Sequence, residues 1–294
     1  MTVDNPIILP NKLRDPFLFE DVIDIQEGIY SNSVIDLSKI SFIEPYSMIS
    51  LLLLGKNHIR SKGEKIKMIN IPISIHQYFI RMDFLKTGIF DVSEKINKDM
   101  LLKRSPLSRR IIEITEIPNK ERESIVVITD VISLFRKRAS NILKYWISDR
   151  IIDYFVTVIS ELCQNIFEHS LDSGYLAMQT YSVGKENIFR LVISDSGIGI
   201  RRSFEENNNV EYSSPAGLME KAIFTPISSK REFGYGLCQV NEIVERLKGT
   251  LFIRSENASI TALYHRKNKG APFLFLKNNL SVFCGTQISI SLSG

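Results

Sequence analysis

The stretch from Asp149 to Ile200 restricts the possible folds most, because it joins a strongly two-faced helix to two apolar runs and a glycine turn. In DRIIDYFVTVISELCQNIFEHS, Ile152, Phe155, Ile159, Leu162 and Ile166 recur at steps of three and four. That period gives one buried helical face. Glu161, Asn165 and His169 fall four apart on a second face, where successive turns bring side chains together. A carboxylate, a carboxamide and an imidazole in a row suit a metal–phosphate site. The apolar run NIFRLVIS then leads into Asp195, Gly197 and Gly199, where missing side chains let backbone approach a flat ring or a phosphate. Further on, Gly234 and Gly236 of FGYGL stand before the helical pattern QVNEIVERL, whose first amides are placed to receive an anion.

The rest of the composition narrows the class. A chain of 294 residues can bury two cores of ordinary size. Its 37 basic and 33 acidic residues leave a net charge of +4 and no long single-sign run, which argues against nucleic-acid binding. The Arg136, Lys137, Arg138 cluster reads as a solvated helix face. Met1–Pro10 lacks the charged start and apolar core of a signal peptide. The longest apolar run, MISLLLLG, is far short of the roughly 20 residues that cross a bilayer. A cytoplasmic protein without membrane contact is expected. Cys163, Cys238 and Cys284 lack metal-ligand spacing and read as free thiols in a reducing compartment.

In chain order, SVIDLSKI predicts a strand, the segment after Pro45 a helix ending near Gly63, and KIKMINIP a second strand. Strand, crossover helix and strand make a βαβ unit with a parallel pair. A short helix is expected over His76–Phe84. The polar, basic residues 86–110, among them Gly88, Lys103, Arg104, Pro106 and Arg109, read as a linker. RRIIEITEIP predicts a strand, and Asp130–Tyr145 a helix before the central one. GYLAMQTYSV and NIFRLVIS predict a hairpin turning at Gly184, Lys185 and Glu186. The stretch RSFEENNNVEYSSPAGLMEKAIFTPISSKRE reads as mobile from its length and its Asn and Ser content. GTLFIRS, SITALYH and GTQISISL close an antiparallel sheet. The fold class is therefore α/β (α+β), with domains at 1–100 and 101–294.

Two resemblances sharpen these expectations. The run IDLSKISFIEPYSMISLLLLGKNHIRSKGEKIKMINIP resembles a STAS domain, the fold of anti-anti-sigma factors, across about the first ninety residues. In that family a strand ends in a phosphorylatable loop shaped like F-I-D-S-S-G-L. Phe42, Ile43 and Glu44 agree with it, whereas Pro45 and Tyr46 replace the serines, and Ser47 and Ser50 are out of register. The departure favours a docking role over a substrate role.

The second half is similar to the GHKL or histidine-kinase-like ATPases, whose ATP-binding domain is the Bergerat-fold α/β sandwich. ELCQNIFEH resembles the N-box, DSGIGI and FGYGL the two glycine boxes, and GTQISISL the last strand. The resemblance implies that ATP and Mg²⁺ are the cofactors, with Asn165 holding Mg²⁺ and Asp195 accepting from the adenine amino group. It further implies that Gly197, Gly199, Gly234 and Gly236 close over sugar and phosphates, with Lys230 a phosphate clamp and Glu161 the general base. His169, Ile200, Ser229, Tyr235, Leu237 and Thr286 complete the implied ATP site. No helical hairpin bearing a phospho-accepting histidine precedes the domain, since His58 and His76 fall in the first half, and nothing after the last strand supplies the further domain of the gyrase and chaperone types. The branch that resembles this chain best is the anti-sigma serine kinases. Their partners are STAS-type or sigma-factor-type regulators, here in cis or in trans, and such kinases form homodimers. The alternative is a nucleotide-dependent switch or slow ATPase without kinase activity.

Overall fold

The computed structural model describes residues 6–92, 110–119, 121–143, 149–207, 210–229, 236–264 and 272–293, which divide into two compact units, 1–108 and 109–294. Among the described residues no helix is long and apolar enough to cross a membrane.

The first unit is built on parallel strands. In chain order it contains β1 (Ile7–Ile8), β2 (Lys12–Leu13), α1 (Pro16–Asp24), α2 (Gln26–Asn32), β3 (Val34–Asp36), β4 (Phe42–Ile43), α3 (Pro45–Lys62), β5 (Lys67–Ile69) and α4 (Ile73–Arg81). The sheet β1-β3-β5 and the pair β2-β4 are both parallel, so the expected βαβ unit is present. The expected first strand is shorter than SVIDLSKI, because Ser38 donates its amide to Asp36 Oδ1 and turns the chain. Everything before it was missed. The cue was Asp15–Pro16, a capping carboxylate that accepts from the amides of Phe17 and Leu18 with proline at the first helical position.

Helix α3 carries little amphipathic signal because it is enclosed: Pro45 to Gly55 are all buried. Tyr46, Ser47 and Ser50 point inward, at 2%, 0% and 0% exposure. Gly63 ends the helix with φ +75°. The linker expected over 86–110 begins later. A 3₁₀ turn at Phe84–Thr87 leads to Ile89 and Phe90, which pack against Gly55, and the rings of Phe79, Phe84 and Phe90 stack at 4.3 and 5.6 Å. The remainder, 93–109, lies outside the described residues.

The second unit is a seven-stranded antiparallel sheet with helices. It contains β6 (Ile111–Ile117), α5 (Glu121–Leu143), α6 (Asp149–Asn165), β7 (Gly174–Val183), β8 (Glu186–Asp195), α7 (Gly199–Asn207), α8 (Pro215–Phe224), α9 (Gly236–Arg246), β9 (Thr250–Glu256), β10 (Ala258–Leu263), β11 (Phe273–Lys277) and β12 (Phe283–Ser293). The strand order is β11-β10-β9-β12-β8-β7-β6. The final strand inserts between β8 and β9, so the end of the chain completes the middle of the sheet. The hairpin β7–β8 turns on Gly184 and Lys185 alone, with Val183 opposite Glu186. One core gathers Phe135 of α5, Phe155, Ile159 and Leu162 of α6, Ile223 of α8 and Val240 of α9 over Leu191, Ile193, Leu251, Ile253 and Ile290 of the sheet.

Three expectations are corrected here. The helix expected at Asp130–Tyr145 starts at Glu121, nine positions earlier. Strand β11 was not expected. The stretch read as mobile holds α7 and α8, the second capped by Ser214 with Pro215 at its first position and burying Ala216, Leu218, Met219, Ala222 and Ile223. Its abundance of Asn and Ser masked a short apolar helix with a clear start signal.

Candidate functional site

The site grows from the end of α6. Its apolar face, Phe155, Val158, Ile159 and Leu162, sits in the core and leaves Glu161 and Asn165 half-buried on another side. Regular α-helix stops at Asn165, and one wider π turn, Ile166–Ser170, carries His169 before Leu171 reverses the chain at φ +61°. The row read as three successive α turns is therefore α for Glu161 and Asn165 and π for His169. Such single-turn insertions re-aim side chains.

The π turn is the seat of the first glycine turn. Ile198 donates its amide to the Ser170 carbonyl at 3.1 Å, and Ser196 donates its hydroxyl to Asp172 Oδ2 at 2.8 Å. Between them Gly197 lies so close that a Cβ would run into the Ser170 carbonyl. The requirement there is space. On the other side, Gly285 at φ +83° brings β12 against the Asp195 carbonyl, and the bulge between Phe283 and Thr286 sets the Thr286 amide beside the Asp195 side-chain carboxylate.

Asp195 is thus held between two backbones and is 7% exposed. Burial pushes its carboxyl up to about 6, against the pull of hydrogen bonds from the Gly197 amide (2.8 Å), the Ser170 hydroxyl and the Thr286 amide. A carboxylate offers about four acceptor sites, so beyond these three donors it can take one more from a ligand in the cavity. The walls are Leu162, Ile166, Ile193, Ile200, Phe204 and Ile288, and the cavity they line with Asp195 holds about 110 Å³. Flat, apolar sides with one polar anchor suit a heteroaromatic ring bearing an amine.

The other end of the cavity is polar. Gly236 opens the eleven-residue α9, and a Cβ there would stand 3.4 Å from Glu161 Oε2, 3.4 Å from Asn165 Nδ2 and 3.7 Å from Asn165 Oδ1. A carboxylate and a carboxamide therefore meet at a helix N-terminus, where the dipole is positive. His169, Ser203 and Ser229 form the wall between the two ends.

Of the residues named from the sequence, Asn165, His169, Asp195, Gly199, Ile200, Ser229, Gly236, Leu237 and Thr286 line this one cavity. Glu161 stands at its polar mouth through Gly236, and Gly197 lies beneath it against Ser170. Lys230, Gly234 and Tyr235 lie outside the described residues. Sequence reasoning missed Ser170, Ser203, Phe204 and Ser255. Ser203 and Phe204 follow Gly199 at helical spacing and would have emerged had α7 been recognised. Ser255, whose hydroxyl accepts from the Ile200 amide at 2.8 Å and so anchors the start of α7, had no local cue.

Comparison with known proteins bears on this half of the chain. No curated protein matches it. Residues 151–276 match the family described as histidine kinase-, DNA gyrase B-, and HSP90-like ATPase. The matched range contains the N-box and both glycine boxes, and β12, with Thr286, lies beyond it. A domain similar to the histidine kinase-, DNA gyrase B-, and HSP90-like ATPases is thus detected at residues 151–276.

Proposed function

We propose that the chain is a regulatory protein that couples ATP bound in this cavity to a protein partner, through phosphoryl transfer of the anti-sigma serine-kinase kind, with the first unit as a STAS-like docking module. The observation that carries the reading is the single cavity whose floor is the buried Asp195 and whose mouth holds Glu161 and Asn165 at the start of α9.

Asp195 accepts from the amino group of adenine, and the apolar walls sandwich the ring. Among the described residues no cluster of three or more acidic, His or Cys side chains could hold a metal alone. A divalent cation would therefore be held by Asn165 Oδ1 together with phosphate oxygens, which suits Mg²⁺. Bound there, it would offset charge on the transferred group. Glu161 takes the proton from the attacking hydroxyl as the new O–P bond forms and the β–γ bridging bond breaks, its electron pair leaving with ADP.

The acceptor lies on another protein. In the first unit Tyr46, Ser47 and Ser50 are buried, which favours docking by this unit over its phosphorylation. Incubation with Mg²⁺, γ-labelled ATP and candidate STAS-type proteins tests the reading. Label or released phosphate should appear and vanish in Asn165→Ala. With Glu161→Gln, turnover should fall by about 1,000-fold while nucleotide affinity changes little, as expected for loss of a general base. If ATP binds but neither label nor phosphate appears, the chain works as a nucleotide-controlled binding switch.

A further inference from the structure

The bulge of β12 is tied down by two side chains that do not line the cavity. Its two extra residues, Cys284 and Gly285, fall between Phe283 and Thr286 in the pairing with β9. Gln287 Nε2 donates to the Cys284 carbonyl at 3.0 Å and lies 3.4 Å from the Asp195 carbonyl oxygen. The Ser255 hydroxyl donates to the Gly285 carbonyl at 3.2 Å. A carbonyl only accepts, so the nitrogen end of the Gln287 amide is the one that faces Cys284 and Asp195.

Gln287 is 0% exposed and pairs with Ser194 of β8 and Arg254 of β9. Side chains alternate along a strand, so it lies on the face of the sheet opposite Ile288, which lines the cavity. Its place there is costly. Gln287 Oε1 and Ser194 Oγ, on residues directly across from each other, are both buried without a hydrogen-bond partner among the described residues. An aliphatic side chain would leave no such atom unsatisfied, so packing does not account for a glutamine. What the glutamine adds is a donor to the bulge. The bulge sets the Thr286 amide on the Asp195 carboxylate, and that hydrogen bond holds the carboxyl lower than burial alone would leave it. Other titratable or charged groups on the elements around Asp195 are Asp172 after the π turn, His169 on the cavity wall, Tyr175 on β7, Arg254 on β9 and the Glu256–Arg201 pair at the start of α7. They are common to the parent and to every variant below.

We propose that Gln287 is a positioning residue for Asp195: from the far face of the sheet it pins the bulge of β12, and so keeps the Thr286 amide aimed at the carboxylate that receives the nucleotide base. Ser255 pins the neighbouring carbonyl of the same bulge. The hold on the carboxyl stands on the geometry of this strand, whereas its effect on ATP rests on the nucleotide reading of the preceding section.

The first arm of the test needs no nucleotide. In amide-proton NMR of the parent, the Thr286 and Gly197 signals should both move with a midpoint near pH 6 as Asp195 ionises, since both amides donate to its carboxylate. In Gln287→Met, Thr286 should lose that movement and Gly197 should keep it, with the midpoint raised by about one pH unit, the worth of one hydrogen bond. Ser289→Ala, which alters a buried residue further along the same face of β12, should change neither. A Thr286 signal that still titrates at an unmoved midpoint in Gln287→Met overturns the proposal, and so does an equal rise in Ser289→Ala. Should Gln287→Met fail to fold by circular dichroism, Gln287→Asn, which draws the amide back from Cys284 by one methylene, faces the same two outcomes. In the second arm, calorimetry follows ATP at two pH values. At pH 6 the ionised fraction of the carboxyl should be about one-half in the parent and about one-tenth in Gln287→Met, so the variant should bind ATP about fivefold more weakly. At pH 8.5, where both are ionised, the two should bind alike. A loss as large at pH 8.5 as at pH 6 overturns the route through the carboxyl. A parent that binds no ATP overturns the functional reading, and the amide titrations still decide whether Gln287 positions Asp195.

Discussion

Each unit contains a strand that ends in a buried acidic residue and runs into a helix, and only one of the two junctions makes a cavity. In the first, β4 leads to Glu44, 5% exposed, and Pro45 starts α3 at once. Proline fixes the entry, and Tyr46, Ser47 and Ser50 turn into the core. In the second, β8 leads to Asp195, 7% exposed, and the glycine turn settles on Ser170 before α7 begins. Ring-sized space remains above the carboxylate because Gly197 lets the turn settle against Ser170 from below and Gly285 lets β12 pack on the Asp195 carbonyl. A strand-end acid becomes a site only where the following backbone can pack elsewhere.

The comparison can be broken in four ways, from the largest effect to the smallest. Asp195→Asn keeps the shape of the floor but points an amide toward an incoming amine. Calorimetry should show ATP affinity falling by about 100-fold, the cost of setting donor against donor in a buried site. Gly197→Ala drives a methyl into the Ser170 carbonyl and should lower stability by about 2 kcal/mol in denaturant titration. An unchanged midpoint would mean that the close packing of the turn is not needed.

At the closed junction the expected sign reverses. Ser47 Oγ is buried without a hydrogen-bond partner among the described residues, so Ser47→Ala should stabilise the protein by about 1 kcal/mol. Labelling of Ser47 by ATP would contradict the contrast outright. The last effect is that of pH. The folded Asp195 carboxyl titrates near 6 and the unfolded one near 3.8, so between these values the folded state binds the extra proton. Its contribution to stability is full below 3.8 and is lost as pH rises through about 6. Nucleotide affinity runs the other way and should fall about tenfold between pH 7 and pH 5. Asp195→Asn should flatten both slopes, which separates this carboxyl from the titration of the nucleotide itself.

Much of this was legible in the sequence. The helical period of α6 and the residues Asn165, Asp195 and Gly236 are local patterns, and local patterns survive folding. The βαβ unit was equally plain, because short parallel strands flank one long apolar helix. What could not be read arises over long distances or beneath polar composition. The pairing of β12 between β8 and β9 brings Thr286 to Asp195 across some ninety residues, and only the folded sheet reveals it. Helices α7 and α8 hid under Asn and Ser, taking Ser203 and Phe204 from view. The π turn at Ile166–Ser170 also left no periodic trace, since one wider turn does not disturb an apolar stripe that ends there.

The most direct measurement is ATP binding by calorimetry for the parent and Asp195→Asn side by side, each checked for an intact fold by circular dichroism. The account predicts binding at one site per chain in the parent and a loss of about 100-fold in the variant with its fold intact. Equal affinity in the two would contradict it, because the nucleotide would then sit somewhere other than against the buried carboxylate on which the site is built.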